Sequence, residues 1–510
     1  MSEKAVVKTK SGKIQGIYQN GIYMFMGVPY AAPPAGERRW LPPQPVKPWQ
    51  GVRPALKFGP ITPQNGIGTG VVPELAVEGI PDEDCLNLNI WSPGLDDAHR
   101  PVLVWIHGGA FNQGAGSQPL YTGDKLVRRG DVVVVTINYR LGLLGFLRLD
   151  EVTGGRIPAT GNEGLLDQIA AITWVRDNIA GFGGDPDNIT IFGESAGGIS
   201  IGCLLSMPSA RGLFHKAILQ SGASMVTPLK ESVLIAEKFL LIFGFNAGDV
   251  DALKALTVEQ ILSAEMKLRA EMARPWEKLR ATVTQPIVDG KTLPAIPVEA
   301  VKQDSAGNVL VMAGSNQDEW GLIGMADRGL PELDEAGLAE RCQRLIPAKR
   351  VPVLVEAYRA ARVKRGEDAS PPAIYRAIQT DSTFRMPAIK FVESQQRRHR
   401  SSYSYLFTWK SPAMGGILGA CHTLEIGFVF GTYTQRFNGS GPAAELLAGN
   451  IQDAWTAFAR TGDPSNKGIG TWPEYGENRA TMILGADCHV EEAPYDEERH
   501  VWDVILGSSG

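Results

Sequence analysis

Cysteine is scarce in this chain: five in 510 residues, at Cys85, Cys203, Cys342, Cys421 and Cys488, an odd and scattered set. That pattern excludes a disulfide framework and leads to the expectation of reduced thiols in a cytoplasmic protein. No C-x-x-C and no H-E-x-x-H occurs, so a structural zinc site is not expected. Long apolar runs are missing as well. The run Val132-Val-Val-Val135 has the length of a strand, far short of a membrane span. The first ten residues, Met1-Ser-Glu-Lys-Ala-Val-Val-Lys-Thr-Lys10, lack the apolar stretch of a signal peptide. Blocks of one charge are also absent. Fifty Lys and Arg against 55 Asp and Glu give a net charge of −5, with no basic stripe for nucleic acid and no polybasic membrane patch. Internal repeats are not found, and Gly507-Ser-Ser-Gly510 has the composition of a flexible linker.

What is present is ordinary globular material: 44% hydrophobic and 21% charged residues, in a chain long enough to bury a large core. Two unbroken apolar runs, residues 102–106 and 132–137, suit central strands covered on both faces. A helix is predicted between them at 122–129. Residues 162–180 place Leu165, Ile169, Ile172, Val175 and Ile179 on one helical stripe, closed by Gly181-Phe-Gly-Gly-Asp-Pro186. Further strands are predicted at 189–192, 217–219, 309–313 and 403–409. This alternation predicts an α/β fold, a predominantly parallel twisted sheet flanked by helices. Upstream, residues 5–18 read as a hairpin around Ser11-Gly12, the Pro-rich stretch 28–49 as irregular, and the Gly-rich stretch 61–81 as a surface loop. Residues 84–91 alternate polar and apolar, the pattern of a strand near one edge of the sheet. Helical patterns at 232–243, 249–256, 259–272, 333–365 and 373–396 predict insertions over the sheet, about 223–280 and 320–400, within a single domain 1–510. A long helix at 443–460 and a last edge strand at 481–484 complete the reading.

The stretch Asn188-Ile-Thr-Ile-Phe-Gly-Glu-Ser-Ala-Gly-Gly198 organises the rest. A strand-like run leads into Gly193-Glu-Ser-Ala-Gly197, and a helical apolar run, 199–205, follows. A strand turning sharply into a helix with serine at the apex is a nucleophile elbow. The glycines are required where neighbouring backbone would meet a Cβ. With 58 glycines in the chain the motif alone says little, and Gly198-Ile-Ser200-Ile-Gly202 repeats it. Context separates the two. Ser195 follows a strand, whereas Ser200 falls inside the helix that the first motif starts.

A serine hydroxyl needs a general base. The histidines after Ser195 are His215, His399, His422, His489 and His500. His399, His489 and His500 lie in charged surroundings and read as surface; His215 precedes a strand. His422 follows the Gly-containing loop 415–419 and precedes Phe428-Val-Phe430, the loop context that a base requires. The residues alone leave the acid open among many carboxylates; Asp318-Glu319, just after a strand, is the right kind of place. Gly108, Gly109 and Ala110 follow the strand 102–106 and let backbone N–H groups approach a developing oxyanion, with the N–H of Ala196 beside the nucleophile.

Several stretches together resemble the type-B carboxylesterase family of α/β-hydrolases, in its bacterial para-nitrobenzyl esterase-like branch. They are Phe25-Met-Gly-Val-Pro-Tyr30, Glu83-Asp-Cys-Leu-Asn-Leu-Asn89, Trp105-Ile-His-Gly-Gly-Ala-Phe111, Asn138-Tyr-Arg140, 181–198, Leu213-Phe-His-Lys-Ala-Ile-Leu-Gln-Ser-Gly222, Pro286-Ile-Val-Asp-Gly290, 314–319 and 422–431. The resemblance implies a carboxylic-ester hydrolase with Ser195, Glu319 and His422 as triad. Its implied oxyanion donors are Gly109, Ala110 and Ala196; Glu194 and Ser221 lie nearby. It also implies an architectural Arg39–Glu83 ion pair. Two departures stand out. The family has Gly after the acid, where this chain has Trp320. The usual disulfide partner of Cys85 and the choline-binding tryptophan are both missing from Phe58 to Pro81, which favours a cytoplasmic type and argues against choline esters. The implied partners are a small to medium alkyl or aryl ester and water, with no metal or organic cofactor needed and no nucleic acid or membrane, in a monomer or small homo-oligomer. Amide, carbamate or lactone cleavage on the same triad, and a non-catalytic cholinesterase-like binding protein, are the alternatives.

Overall fold

The two unbroken apolar runs fold side by side at the centre of a sheet, and everything else is laid around them. The computed structural model describes residues 3–66, 72–272, 283–397 and 401–507. Its strands are β1 (Glu3–Thr9), β2 (Gly12–Gln19), β3 (Ile22–Pro29), β4 (Val52–Pro54), β5 (Asn87–Ser92), β6 (Arg100–Ile106), β7 (Val133–Ile137), β8 (Gly184–Glu194), β9 (Lys216–Gln220), β10 (Leu310–Asn316), β11 (Ser402–Phe407), β12 (Ala480–Leu484) and β13 (His489–Glu492). They join in the order β1-β2-β3-β5-β7-β6-β8-β9-β10-β11-β12-β13, with β4 beside β2. Neighbours from β7 through β12 are parallel. The strands before β7 form an antiparallel flank, and β13 runs antiparallel to β12.

Side chains on a strand alternate between faces, and here both faces are apolar. Val102, Val104, Ile106, Val133, Val135, Ile189, Ile191, Ala217 and Leu219 enter the core on one face. Leu103, Trp105, Val134, Phe192 and Ile218 enter the core on the other. The first face is covered by helices Glu163–Asn178 and Ala196–Leu204, the second by Asp124–Gly130 and Pro442–Thr461. Each Val or Ile taken fully out of water in these strands contributes roughly 1.5–3 kcal/mol before entropy is counted. Leu165, Ile172, Val175 and Ile179 are buried on the stripe read from sequence, and Ile169 packs at its rim. The helical insertions appear as Leu229–Phe243, Val250–Lys254 and Val258–Met272, and then as helices between Trp320 and Gln396. Each group closes a hydrophobic cluster of its own. No helix among the described residues is long and apolar enough to cross a membrane.

Three readings need correction. The alternating stretch at 84–91 is an interior strand, with all six residues of β5 buried between β3 and β7. Its asparagines alternate with apolar residues because their amides serve the backbone: Asn89 accepts from Gly27 N–H and donates to Thr136 Oγ1, while Asn87 donates to the Pro60 carbonyl. Residues 22–29, partly assigned to the irregular Pro-rich stretch, form β3. The strand at 481–484 is not the edge, since β13 lies outside it and exposes all four of its residues. The centre of the 61–81 loop, the end of the first insertion, His399 and the last three residues lie outside the described residues.

Arg39 and Glu83 form a two-pronged pair, each bond 2.6 Å. Arg39 also donates to the carbonyls of Lys254 and Leu256, tying the first helical insertion to the sheet side of the molecule. A second, fully buried pair was not foreseen. Arg140 clasps Asp167 through Nε and Nη2, at 2.8 and 2.7 Å, and its remaining Nη1 donates to the Leu41 carbonyl.

Candidate active site

β6 has β7 on one side and β8 on the other, so the chain reverses its direction of winding at this point of the sheet. Crevices at such switch points, beyond the carboxyl ends of the strands, are where open α/β sheets bind ligands. Ile106 at the end of β6 pairs with Gly193 of β8. The segment 107–111 therefore leaves β6 beside the turn 194–196 that leaves β8.

Ser195 stands at that turn with φ 55° and ψ −121°, a conformation that L-residues adopt at a cost, and helix Ala196–Leu204 starts immediately after it. The turn is pinned by the Ser195 N–H donating to the Gln220 carbonyl at 2.9 Å. There is no space for side chains around it. A Cβ on Gly197 would lie 2.0 Å from the Ile106 carbonyl oxygen, and one on Gly222 would lie 2.3 Å from that of Ser195. Ser195 remains partly exposed. Ser200 is buried inside the helix and accepts a hydrogen bond from Gln168 Nε2 at 3.0 Å. The strand–turn–helix context had separated the two serines in the same way.

A Cβ on Gly108 would sit 3.1 Å from that of Ser195, so the backbone of the 107–111 segment passes directly against the elbow. Gly109, Ala110 and Phe111 all have positive φ, at 108°, 53° and 61°. Among the described residues, the N–H groups of Gly108, Gly109 and Ala110 donate to no protein acceptor. The N–H of Ala196 opens a helix, where no intrahelical acceptor exists. The segment is held from behind by Tyr139, whose hydroxyl donates to the His107 carbonyl at 2.8 Å and whose ring stacks on His107 at 4.5 Å.

Glu319 ends the turn after β10 and is fully buried; Oε1 accepts the Asn316 N–H and Oε2 lies 2.6 Å from His422 Nδ1. Trp320, where glycine was expected, has helical backbone and no positive φ, so nothing there demands glycine. The tight contact falls one residue later: a Cβ on Gly321 would lie 2.0 Å from the Leu418 carbonyl oxygen. The His422 ring packs on Phe384 at 4.7 Å. Its Nε2 faces Glu194 Oε1 at 3.2 Å, and among the described residues no hydrogen bond joins the ring to the Ser195 hydroxyl. Such contacts are often loose in an unliganded site and tighten around substrate.

Two buried carboxylates thus face one imidazole, one at each ring nitrogen, and a third, Glu425, adds to their field. Burial raises the pKa of Glu194, opposed by His422 and reinforced by Glu425 and Glu319. Burial by itself would lower that of His422, but the carboxylates of Glu194 and Glu319 outweigh it and bring the ring up to about 9. Glu425 was missed in the sequence. It accepts from Gln220 Nε2 at 3.1 Å and from Asn316 Nδ2 at 2.7 Å, and burial raises its pKa. The available signal was a single acid inside the apolar run Leu424-Glu-Ile-Gly-Phe-Val-Phe430, three residues after His422. Ser221 is buried with φ 48°, its N–H donating to the Gly314 carbonyl, so it positions backbone at the end of β9. His215 accepts the Ile189 N–H through Nδ1 midway along β8, and His489 and His500 are exposed. Cys85, Cys203, Cys342 and Cys421 are buried free thiols and Cys488 is a half-buried one.

An exposed serine on a strained elbow, free backbone N–H groups beside it and a carboxylate-braced imidazole make up the equipment for acyl transfer through an oxyanion. The comparisons with known proteins agree. The model of the carboxylesterase family matches residues 3–502. The para-nitrobenzyl esterase of Bacillus subtilis (strain 168) is 38% identical over 503 residues, 97% of each chain. The phenmedipham hydrolase of Pseudarthrobacter oxydans is 34% identical over 496 residues, 95% of this chain and 96% of that one. Among solved structures, a carboxylesterase of Geobacillus stearothermophilus superposes with a TM-score of 0.85 at 37% identity, covering 98% of this chain and 99% of the other. Since the match runs through the whole sheet and both helical insertions, and not the elbow alone, the chain belongs to the carboxylesterase family and hydrolyses carboxylic esters.

Proposed function

We propose that Ser195 is the nucleophile of this esterase, His422 its general base and Glu319 the carboxylate that orients and stabilises the imidazolium. The oxyanion is received by the N–H groups of Gly109 and Ala110 from the 107–111 segment and of Ala196 from the elbow, with Gly108 bringing that segment against Ser195. Ser195 attacks the ester carbonyl as His422 takes its proton; the alcohol leaves with that proton, and water, activated by the same ring, releases the acid. The observation that carries the reading is the 2.6 Å contact between His422 Nδ1 and Glu319, in a ring whose other nitrogen faces the residue next to Ser195. The substrates are small to medium alkyl or aryl esters. The relative named para-nitrobenzyl esterase makes para-nitrobenzyl esters the first to assay, and the fold supports a single catalytic domain. An organophosphorus fluoride is expected to inactivate the enzyme with one adduct per chain, found by peptide mass spectrometry on Ser195. Inactivation with the adduct on Ser200 or another residue overturns the assignment.

The buried acids also set a pH dependence. General base action needs the neutral ring, so kcat/KM rises with pH as His422 loses its proton. Replacing Glu194 with glutamine removes a negative charge that holds that proton. The rising limb of the kcat/KM profile is expected to move to lower pH in Glu194→Gln. A limb that stays in place or moves upward contradicts the electrostatic role given to Glu194.

A further inference from the structure

Asp318, adjacent to the acid of the triad, joins the loop that carries Glu319 to the loop that carries His422. Its N–H donates to the Ala420 carbonyl at 3.0 Å, and its Oδ2 accepts the Ala420 N–H at 2.9 Å. The two loops are thereby paired by main chain and side chain at the same residue, two positions before His422. The fit is close: Gly419 has φ 63°, and a Cβ on it would lie 2.4 Å from Asp318 Oδ2. One position later, Asn316 Nδ2 donates to the Cys421 carbonyl at 2.7 Å. On its other side Asp318 borders a polar cavity of about 370 Å³, lined also by Arg362, Glu367 and Lys410.

We propose that Asp318 is a positioning residue for catalysis: its carboxylate clamps the 418–422 loop so that His422 keeps register with Glu319 and the elbow. The inference rests on the triad assignment above. A ring displaced by about 1 Å costs up to about 100-fold in rate, while substrate binding, made by other residues, is untouched. Asparagine can replace the clamp, because its carbonyl oxygen accepts the Ala420 N–H and its amide N–H groups face the polar cavity. Alanine cannot.

With a para-nitrobenzyl ester as probe, Asp318→Ala is expected to lower kcat by about 10- to 100-fold with KM within about twofold, and Asp318→Asn to hold kcat within about threefold. Melting curves show whether each variant is folded. Full kcat in Asp318→Ala, or an equal loss in Asp318→Asn, overturns the proposal. If Asp318→Ala does not fold, Gly419→Ala takes its place: the added methyl displaces Oδ2, so a tenfold or greater fall in kcat at unchanged KM is expected, and native kcat overturns the clamp. Ser195→Ala measured in parallel keeps the two assignments apart. An inactive Ser195→Ala beside a fully active Asp318→Ala rejects the clamp alone, whereas an active Ser195→Ala rejects the triad on which it rests.

Discussion

Replacing Ser195 with alanine is expected to lower kcat for ester hydrolysis by about 10⁴- to 10⁶-fold. The size of the effect follows from the geometry. The elbow places the Ser195 hydroxyl at the carboxyl end of β8 beside the unpaired N–H groups of 108–110. Cys421, the residue next to His422, is a buried thiol whose pKa is pushed up by burial, so it is in the wrong state to take over. What survives in Ser195→Ala is the modest assistance of the oxyanion donors and of substrate binding. Ser200→Ala is the control. It leaves Gln168 without its acceptor deep under the sheet, at a stability cost of about 1–3 kcal/mol, but it does not touch the reaction. Initial rates on a para-nitrobenzyl ester, with thermal melting in parallel, separate the two outcomes. Equal rate losses in both variants assign the chemistry elsewhere.

Asp167→Ala is expected to destabilise the fold by about 3–5 kcal/mol, because it strands the buried Arg140 guanidinium without its counter-charge. The pair is 3% and 0% exposed, and Asp167 also accepts the Arg140 N–H at 3.0 Å. Arg140 follows Tyr139, which holds His107 from behind, so the loss is transmitted toward the segment that approaches Ser195. The physical cause can be isolated by removing both charges. The double variant Arg140→Met with Asp167→Ala is expected to regain part of the loss, since no orphaned ion remains. Urea unfolding midpoints measure both. A single-variant cost below about 1 kcal/mol, or a double variant worse than the sum of its parts, removes the unpaired charge as the explanation.

How much of this was legible beforehand differs from residue to residue. The central strands were visible because both faces of β6 and β7 are buried, and unbroken valine and isoleucine runs have few other uses. The turn at Ser195 and the place of Ser200 inside the helix followed from local context, a strand feeding a helix. β5 was placed near the sheet edge because its alternation was read as a solvent-facing side. Asparagine amides that bond to backbone 27 and 62 residues away imitate that pattern. Trp320 looked like a defect in the turn after the acid, yet the need for a missing Cβ lies at Gly321 and is set by Leu418, nearly a hundred residues on. Glu425 and the Arg140–Asp167 pair were invisible for the same reason: burial of a charged side chain is decided by partners distant in sequence, and no period or propensity records them. The contact of His422 with Glu194 belongs to this class too. It makes the residue next to Ser195 part of the electrostatics of the His422 ring.

The exposed strand β13 has a consequence for the chain among its copies. An open sheet edge offers unpaired N–H and C=O groups to any passing strand, the route to aggregation and fibre growth. Here the last strand has only four residues, and it carries the exposed Glu491 and Glu492. Two copies meeting edge to edge near neutral pH would bring carboxylates together across the new ladder, and like charges directly opposite are destabilising. Among the described residues this edge of the sheet therefore closes in repulsion rather than for want of hydrogen-bonding groups.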